Sequence, residues 1–209
     1  MNALARELNG ILEGTSAARL LSGIGRALYF PKGIVAQSAE AKQQATRFNA
    51  TVGMAFQSGS PMILPGLSEL LPSLSAGEAV AYAPTSGLPK LRELWAGEIR
   101  RKNPDLGETP ISNPTVVPGL TGGISQITDM FLDRGERVIV PDMFWGNYRL
   151  IVEVKGEGEL VTFPFFNKKG DQYEGLNLDG FKQTLLEQRN RNKAIVFLNF
   201  PNNPTGYSP

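Results

Sequence analysis

The 209-residue chain contains no cysteine and no histidine. Those two absences remove disulfides, thiolate nucleophiles, imidazole bases and the usual zinc ligands together. Chemistry has to come from Lys, Tyr, Asp, Glu, backbone amides or a borrowed cofactor, and no metal site is expected. Excess charge is missing too: 21 Lys and Arg against 20 Asp and Glu leave a formal net charge of +1. No electrostatic footprint for nucleic acid or an anionic membrane results. Long apolar runs are also lacking; none reaches the ~18 residues a membrane span needs. The opening Met-Asn-Ala-Leu-Ala-Arg-Glu-Leu lacks the basic-then-apolar order of a signal peptide. Without cysteine or a leader, the expected compartment is the cytoplasm.

What is present is the composition of a globular protein. At 41% hydrophobic and 20% charged residues, a chain of this length can bury a sizeable core. Residues 1–75 read as helical pieces broken by Gly and Pro, the best of them at 34–48, rich in Ala, Gln, Glu and Lys. A short extended stretch follows at 49–55, then an irregular connection with a short helix at 61–72. From residue 88 the pattern is regular. Helices are expected at 88–101, 121–132, 144–154 and 178–189, and strands at 115–117, 137–141, 160–163 and 194–199. Strands alternating with helices imply right-handed crossovers and a parallel sheet. The expected fold class is therefore α/β, a three-layer α/β/α arrangement with a mostly parallel sheet, preceded by a helical N-terminal segment.

In open parallel sheets, ligands lie beyond the carboxyl ends of the strands. Three stretches qualify. Pro118-Gly-Leu-Thr-Gly-Gly-Ile opens a helix, where free amides and the helix dipole favour a phosphate; equally, Gly119, Gly122 and Gly123 serve a tight turn and close packing. The glycine spacing fits neither a dinucleotide fingerprint nor a P-loop. Pro141-Asp-Met-Phe-Trp-Gly-Asn-Tyr offers an indole able to lie on a planar ligand, or a core aromatic. Asn199-Phe-Pro-Asn-Asn-Pro-Thr-Gly either aims an amide at a ligand or is an Asn-Pro turn and no more.

Taken together and in order, these stretches resemble the fold-type I pyridoxal-phosphate enzymes, specifically the class I and II aminotransferases. Asn49-Ala-Thr-Val-Gly-Met-Ala with Ser60-Pro-Met-Ile-Leu-Pro is similar to the family segment that brings a glycine to the substrate carboxylate. Ala81-Tyr-Ala-Pro-Thr-Ser-Gly-Leu-Pro-Lys-Leu-Arg resembles another family run, and Trp145-Gly-Asn-Tyr resembles the aspartate and aromatic branch. The resemblance covers residues 49–209. It implies pyridoxal 5'-phosphate as cofactor, an amino acid and a 2-oxo acid as substrates, and a homodimer. It implies that Leu120 and Thr121 cradle the phosphate, Trp145 stacks on the ring, and Asn203 bonds the ring's phenolic oxygen. Tyr82 would reach the phosphate in the neighbouring subunit, and Gly53 would lie against the substrate carboxylate. Residues 1–75 would be an arm and small-domain segment, and 76–209 the N-terminal half of the cofactor-binding domain. Two departures bear on the substrate subgroup: Gly119 stands where that branch often has Ser, and Tyr148 where it has His.

The family also needs a lysine joined covalently to the cofactor, in a Ser/Thr-x-x-Lys context. None of the nine lysines has Ser or Thr three residues before it, and the family's lysine follows the Asn-Pro-Thr-Gly turn. The expectation is an N-terminal fragment without a catalytic lysine, inactive alone. A lyase or decarboxylase on the same fold, or a non-catalytic assembly module, are the alternatives.

Overall fold

The computed structural model describes all residues except 30–33, 50, 52–54, 67–68, 70–74 and 192. Two compact units emerge, one formed by Met1–Gly33 with Leu120–Pro209, the other by Ile34–Gly119. The first begins with three helices, α1 (Ala3–Leu12), α2 (Ser16–Leu20) and α3 (Gly23–Ala27). Each starts on a polar residue whose side chain accepts a free helix amide: Asn2 from Leu4, Thr15 from Ala18 and Ser22 from Gly25. Such caps offset the unpaired N–H groups of a helix start. Asn9 ties α1 to α3 by donating from Nδ2 to Arg26 O at 2.8 Å.

The unit Ile34–Gly119 holds α4 (Ile34–Gln44), a hairpin of β1 (Phe56–Gln57) and β2 (Ser60–Pro61), α5 (Ala76–Val80) and α6 (Pro89–Lys102). Ser58 and Gly59 both take positive φ at the hairpin tip, the geometry that matches strand twist in a two-residue turn. Pro89 occupies the first turn of α6, where its missing N–H costs nothing. The strand expected at 115–117 is absent. Pro114 and Pro118 remove amides on either side, and the Val116 amide donates to Ser86 O in a loop instead. Arg92 secures that loop through Pro114 O, Asn113 O and Ser86 Oγ. A Cβ on Gly87 would lie 2.2 Å from Val116 Cγ2, and its φ is +97°, so only glycine fits.

The remainder of the first unit is the α/β/α part. It runs through α7 (Gly119–Phe131), β3 (Arg137–Pro141), a π-helical segment (Arg149–Lys155), β4 (Glu159–Phe163), a hairpin of β5 (Phe166–Lys169) and β6 (Gln172–Leu176), α8 (Leu178–Glu187) and β7 (Ile195–Val196). The sheet order is β4-β3-β7, all parallel, with Arg137 opposite Glu159 and Val138 opposite Ile195. Successive strand residues face opposite sides, and β3 feeds two cores accordingly. Val138 and Val140 pack with Tyr148, Val152, Ile124 and Leu132 on the side of α7 and the π-helical segment. Ile139 packs with Phe163, Phe165, Phe181 and Leu185 on the side of α8. Two of the expected elements change form. The helix at 144–154 opens with tight i→i+3 bonds at Tyr148 and Arg149 and widens until the Gly156 amide reaches back to Ile151 O. The final strand is two residues long because β7 pairs only with Val138 and Ile139. The hairpin β5–β6 is an addition to the elements expected from sequence, turning at Gly170 with φ +61°. Among the described residues no helix is long and apolar enough to cross a membrane.

Close approach of the π-helical segment to α7 depends on Gly156 and Gly158. A Cβ on Gly158 would lie 2.8 Å from Leu132 Cδ2 and 3.0 Å from Glu136 O. Gly158→Ala is therefore expected to destabilise the chain by about 1–3 kcal/mol, the usual cost of overpacking, read as a lowered denaturation midpoint; an unchanged midpoint would show that the segment has room. Burial raises the pKa of the Tyr148 phenol. In the unfolded chain the phenol ionises near pH ~10, while the folded one stays neutral, so its stabilisation is intact below that pH and lost as pH climbs through the folded value. The stability of the wild type relative to Tyr148→Phe should thus fall above pH ~10 in alkaline denaturation series. A difference that stays flat would contradict the desolvated phenol.

Candidate functional site

Strands β3 and β7 run in the same direction, so the segments leaving their carboxyl ends emerge on one side of the sheet. A cavity of about 410 Å³ lies there, lined by Leu120, Ile124, Trp145, Tyr148, Phe197 and Asn203 among others. Three residues singled out from sequence, 120, 145 and 203, are thereby brought together across more than eighty positions of chain.

Each wall has a separate origin. Leu120 belongs to the first turn of α7, is 79% exposed and follows Gly119, whose φ of +73° turns the chain into the helix. The first amides of a helix have no intrahelical acceptor and carry partial positive charge. The amides of Leu120 and Thr121 are of this kind, and Thr121 adds an exposed hydroxyl on the same turn. Trp145 is held by an aromatic stack. Its ring meets Tyr148 edge-on at 5.8 Å, and Tyr148 lies against Phe144 at 6.3 Å and Phe197 at 5.3 Å. Ring pairs in these geometries add stabilisation beyond their burial.

Asn203 is exposed and Asn202, its neighbour, is 3% exposed. Asn202 Nδ2 donates to Met143 O at 3.2 Å and to Thr205 Oγ1 at 2.9 Å. Its backbone joins the turn as well, the amide donating to Tyr207 O and the carbonyl accepting from Gly206. One asparagine of the pair is thus turned inward, the other toward the cavity. Sequence reading pointed to Asn203 and passed over Asn202, Asn199 and Ile124; Tyr148 stood out only as a departure from the resembled branch.

The donor set fits a flat aromatic ring bearing a phosphate. The indole suits the ring, the Asn203 amide suits an oxygen on its edge, and the α7 amides suit the phosphate. Among the described residues, no lysine or arginine lines the cavity, so the described lining presents no amine for covalent attachment. Tyr82 is not part of this lining. It belongs to the unit Ile34–Gly119, where it is fully exposed. Gly53 lies outside the described residues.

Comparison with known proteins places the chain in a family. The family described as aminotransferase class I and II matches residues 54–209. A probable aspartate/prephenate aminotransferase of Aquifex aeolicus is 36% identical over 125 residues, covering 60% of this chain and 29% of that protein. The aspartate/prephenate aminotransferase of Thermus thermophilus is also 36% identical, over 132 residues, covering 60% and 30% respectively. A solved aminotransferase structure from Anaerococcus prevotii superposes with a TM-score of 0.73 at 25% identity, over 90% of this chain and 46% of the other. The chain spans less than half the length of these relatives. Enzymes of the family depend on pyridoxal phosphate and share the fold-type I architecture seen here in part. A family match over residues 54–209, joined to an α/β/α core with its cavity at the ends of β3 and β7, means that the chain belongs to the class I and II aminotransferases.

Proposed function

We propose that this chain provides one side of the cofactor cleft of a pyridoxal-phosphate-dependent aminotransferase, which exchanges the amino group of an amino acid for the oxygen of a 2-oxo acid. The observation that carries the reading is the convergence of Leu120, Trp145 and Asn203 on one cavity. Bound pyridoxal phosphate supplies an electron sink, which lets the amino group be transferred without net oxidation. The protein groups do the holding. The Leu120 and Thr121 amides with the Thr121 hydroxyl take the phosphate, Trp145 covers one ring face and excludes water from it, and Asn203 donates to the phenolic oxygen. Tyr82 reaches the phosphate of a neighbouring subunit, and Gly53 leaves room for the substrate carboxylate, in a cytoplasmic homodimer. Residues 1–75 then serve as arm and small-domain segment, and 76–209 as half of the cofactor-binding domain. The relatives named for aspartate and prephenate make acidic amino acids and their 2-oxo acids the first substrates to assay.

Because no lysine lines the cavity among the described residues, this chain is proposed to hold the cofactor without a covalent bond and to be inactive by itself. Incubation with pyridoxal phosphate followed by borohydride should leave scattered, substoichiometric labelling of lysines in mass spectra; a stoichiometric adduct at one lysine would overturn this. Asn203→Ala should weaken equilibrium binding of the cofactor by about tenfold, the effect of one hydrogen bond to a charged oxygen. Trp145→Ala should weaken it by a few-fold or more through lost stacking. Wild-type affinity in both variants would sink the proposed cleft.

A further inference from the structure

The cavity is formed by two loops far apart in the chain, and one buried amide joins them. Met143 lies two residues before Trp145, and Asn202 one residue before Asn203. The Asn202 Nδ2 bond to Met143 O at 3.2 Å therefore links the indole wall to the amide wall across 59 positions of sequence. The second bond, to Thr205 Oγ1 at 2.9 Å, continues the link into the turn. Thr205 Oγ1 also accepts from the Tyr207 amide at 3.2 Å. The Tyr207 ring packs edge-on against Phe165 at 5.8 Å and Phe166 at 5.0 Å, in the core cluster on the α8 side of the sheet. A continuous chain of contacts thus runs from that core, through Tyr207, Thr205 and Asn202, to the loop that carries Trp145.

We propose that Asn202 is a positioning residue, which sets the spacing between Trp145 and Asn203 so that a ring-and-phosphate ligand meets both. The inference rests on the cleft assignment above, and it concerns a side chain that itself faces away from the ligand. An apolar residue of similar size would fill the buried space at position 202, but it would bond to neither loop. Both amide hydrogens of Asn202 are committed to the two loops, so neither is available to a ligand. That arrangement separates the two asparagines by role: Asn202 holds the walls and Asn203 meets what lies between them.

The test uses the 209-residue chain with Trp95→Phe, which leaves Trp145 as the one indole. The probe is deoxypyridoxine phosphate, which lacks the aldehyde and so cannot react with lysines, followed by quenching of Trp145 fluorescence. Asn202→Ala is expected to weaken binding about tenfold and to shift Trp145 emission to the red before any probe is added, with the far-ultraviolet dichroism unchanged. Thr205→Val, which breaks only one arm of the link, should show both effects at smaller size, and it decides the matter if Asn202→Ala does not fold. Asn203→Ala should lose affinity without moving the emission of the free protein. Wild-type emission and affinity in both Asn202→Ala and Thr205→Val would overturn the positioning role while leaving the cleft assignment intact. A failure of the parent chain to bind the probe would instead overturn the cleft assignment and the inference with it. Loss of affinity in Asn202→Ala with no change in free Trp145 emission would also count against positioning, since the loop would then be held without Asn202.

Discussion

Burial of β3 on both faces is the constraint on which the α/β/α part depends. Val138 and Val140 are fully buried toward α7 and the π-helical segment, and Ile139 is fully buried toward α8. Each such side chain contributes on the order of 1.5–3 kcal/mol when removed from water. Because consecutive residues of one strand supply both cores, a slip by one position would exchange the two sets of neighbours. The parallel pairing with β4 and β7 follows from this, since helices must cover both faces of a strand that is apolar on both. Glycines 156 and 158 let the covering segment come close enough to seal one of them.

The direction of the strands then decides where ligand chemistry can occur. Parallel strands deliver all their outgoing loops to one rim. The rim of β3 carries an indole backed by Tyr148, and the rim of β7 carries an asparagine pair. The beginning of α7 supplies amides with no intrahelical acceptor to the same place. None of these groups is acidic or basic, which suits recognition of a ring-edge oxygen and a phosphate by dipoles rather than by charge pairing. Charged pairs in this unit sit elsewhere, as with Arg137 and Glu159 across the strands and Lys193 with Glu136 below β7. The Lys193 ammonium, helped by the Asp133 amide, holds the Glu136 carboxyl below its usual range.

Much of the fold could be read from the residues. The strand 137–141 was placed to the residue, and the helices around 88–101, 121–132 and 178–189 within a few positions, because their apolar spacing is dictated by packing against one face. The readings that failed did so where pairing partners mattered more than local pattern. Thr115-Val-Val has strand-forming residues but is flanked by prolines and joins a loop through Ser86. The run 194–199 is apolar throughout, yet only Ile195 and Val196 have neighbours on β3 to pair with. The hairpin β5–β6 was hidden because Lys168, Lys169 and Gly170 look like a solvated turn, which they also are.

For the site, the sequence by itself determined the chemical inventory: no thiol, no imidazole, an indole and an asparagine after strands, and a glycine-led helix start. Those are consequences of composition and local order, so they need no knowledge of neighbours. Only the tertiary structure decided that Leu120, Trp145 and Asn203 share one cavity, and that Tyr148 backs the indole. It alone separated Asn202 from Asn203, one turned in to bond Met143 and Thr205, the other turned out. Adjacent identical residues carry the same local signal, and what distinguishes them is the carbonyl of a loop 59 residues away.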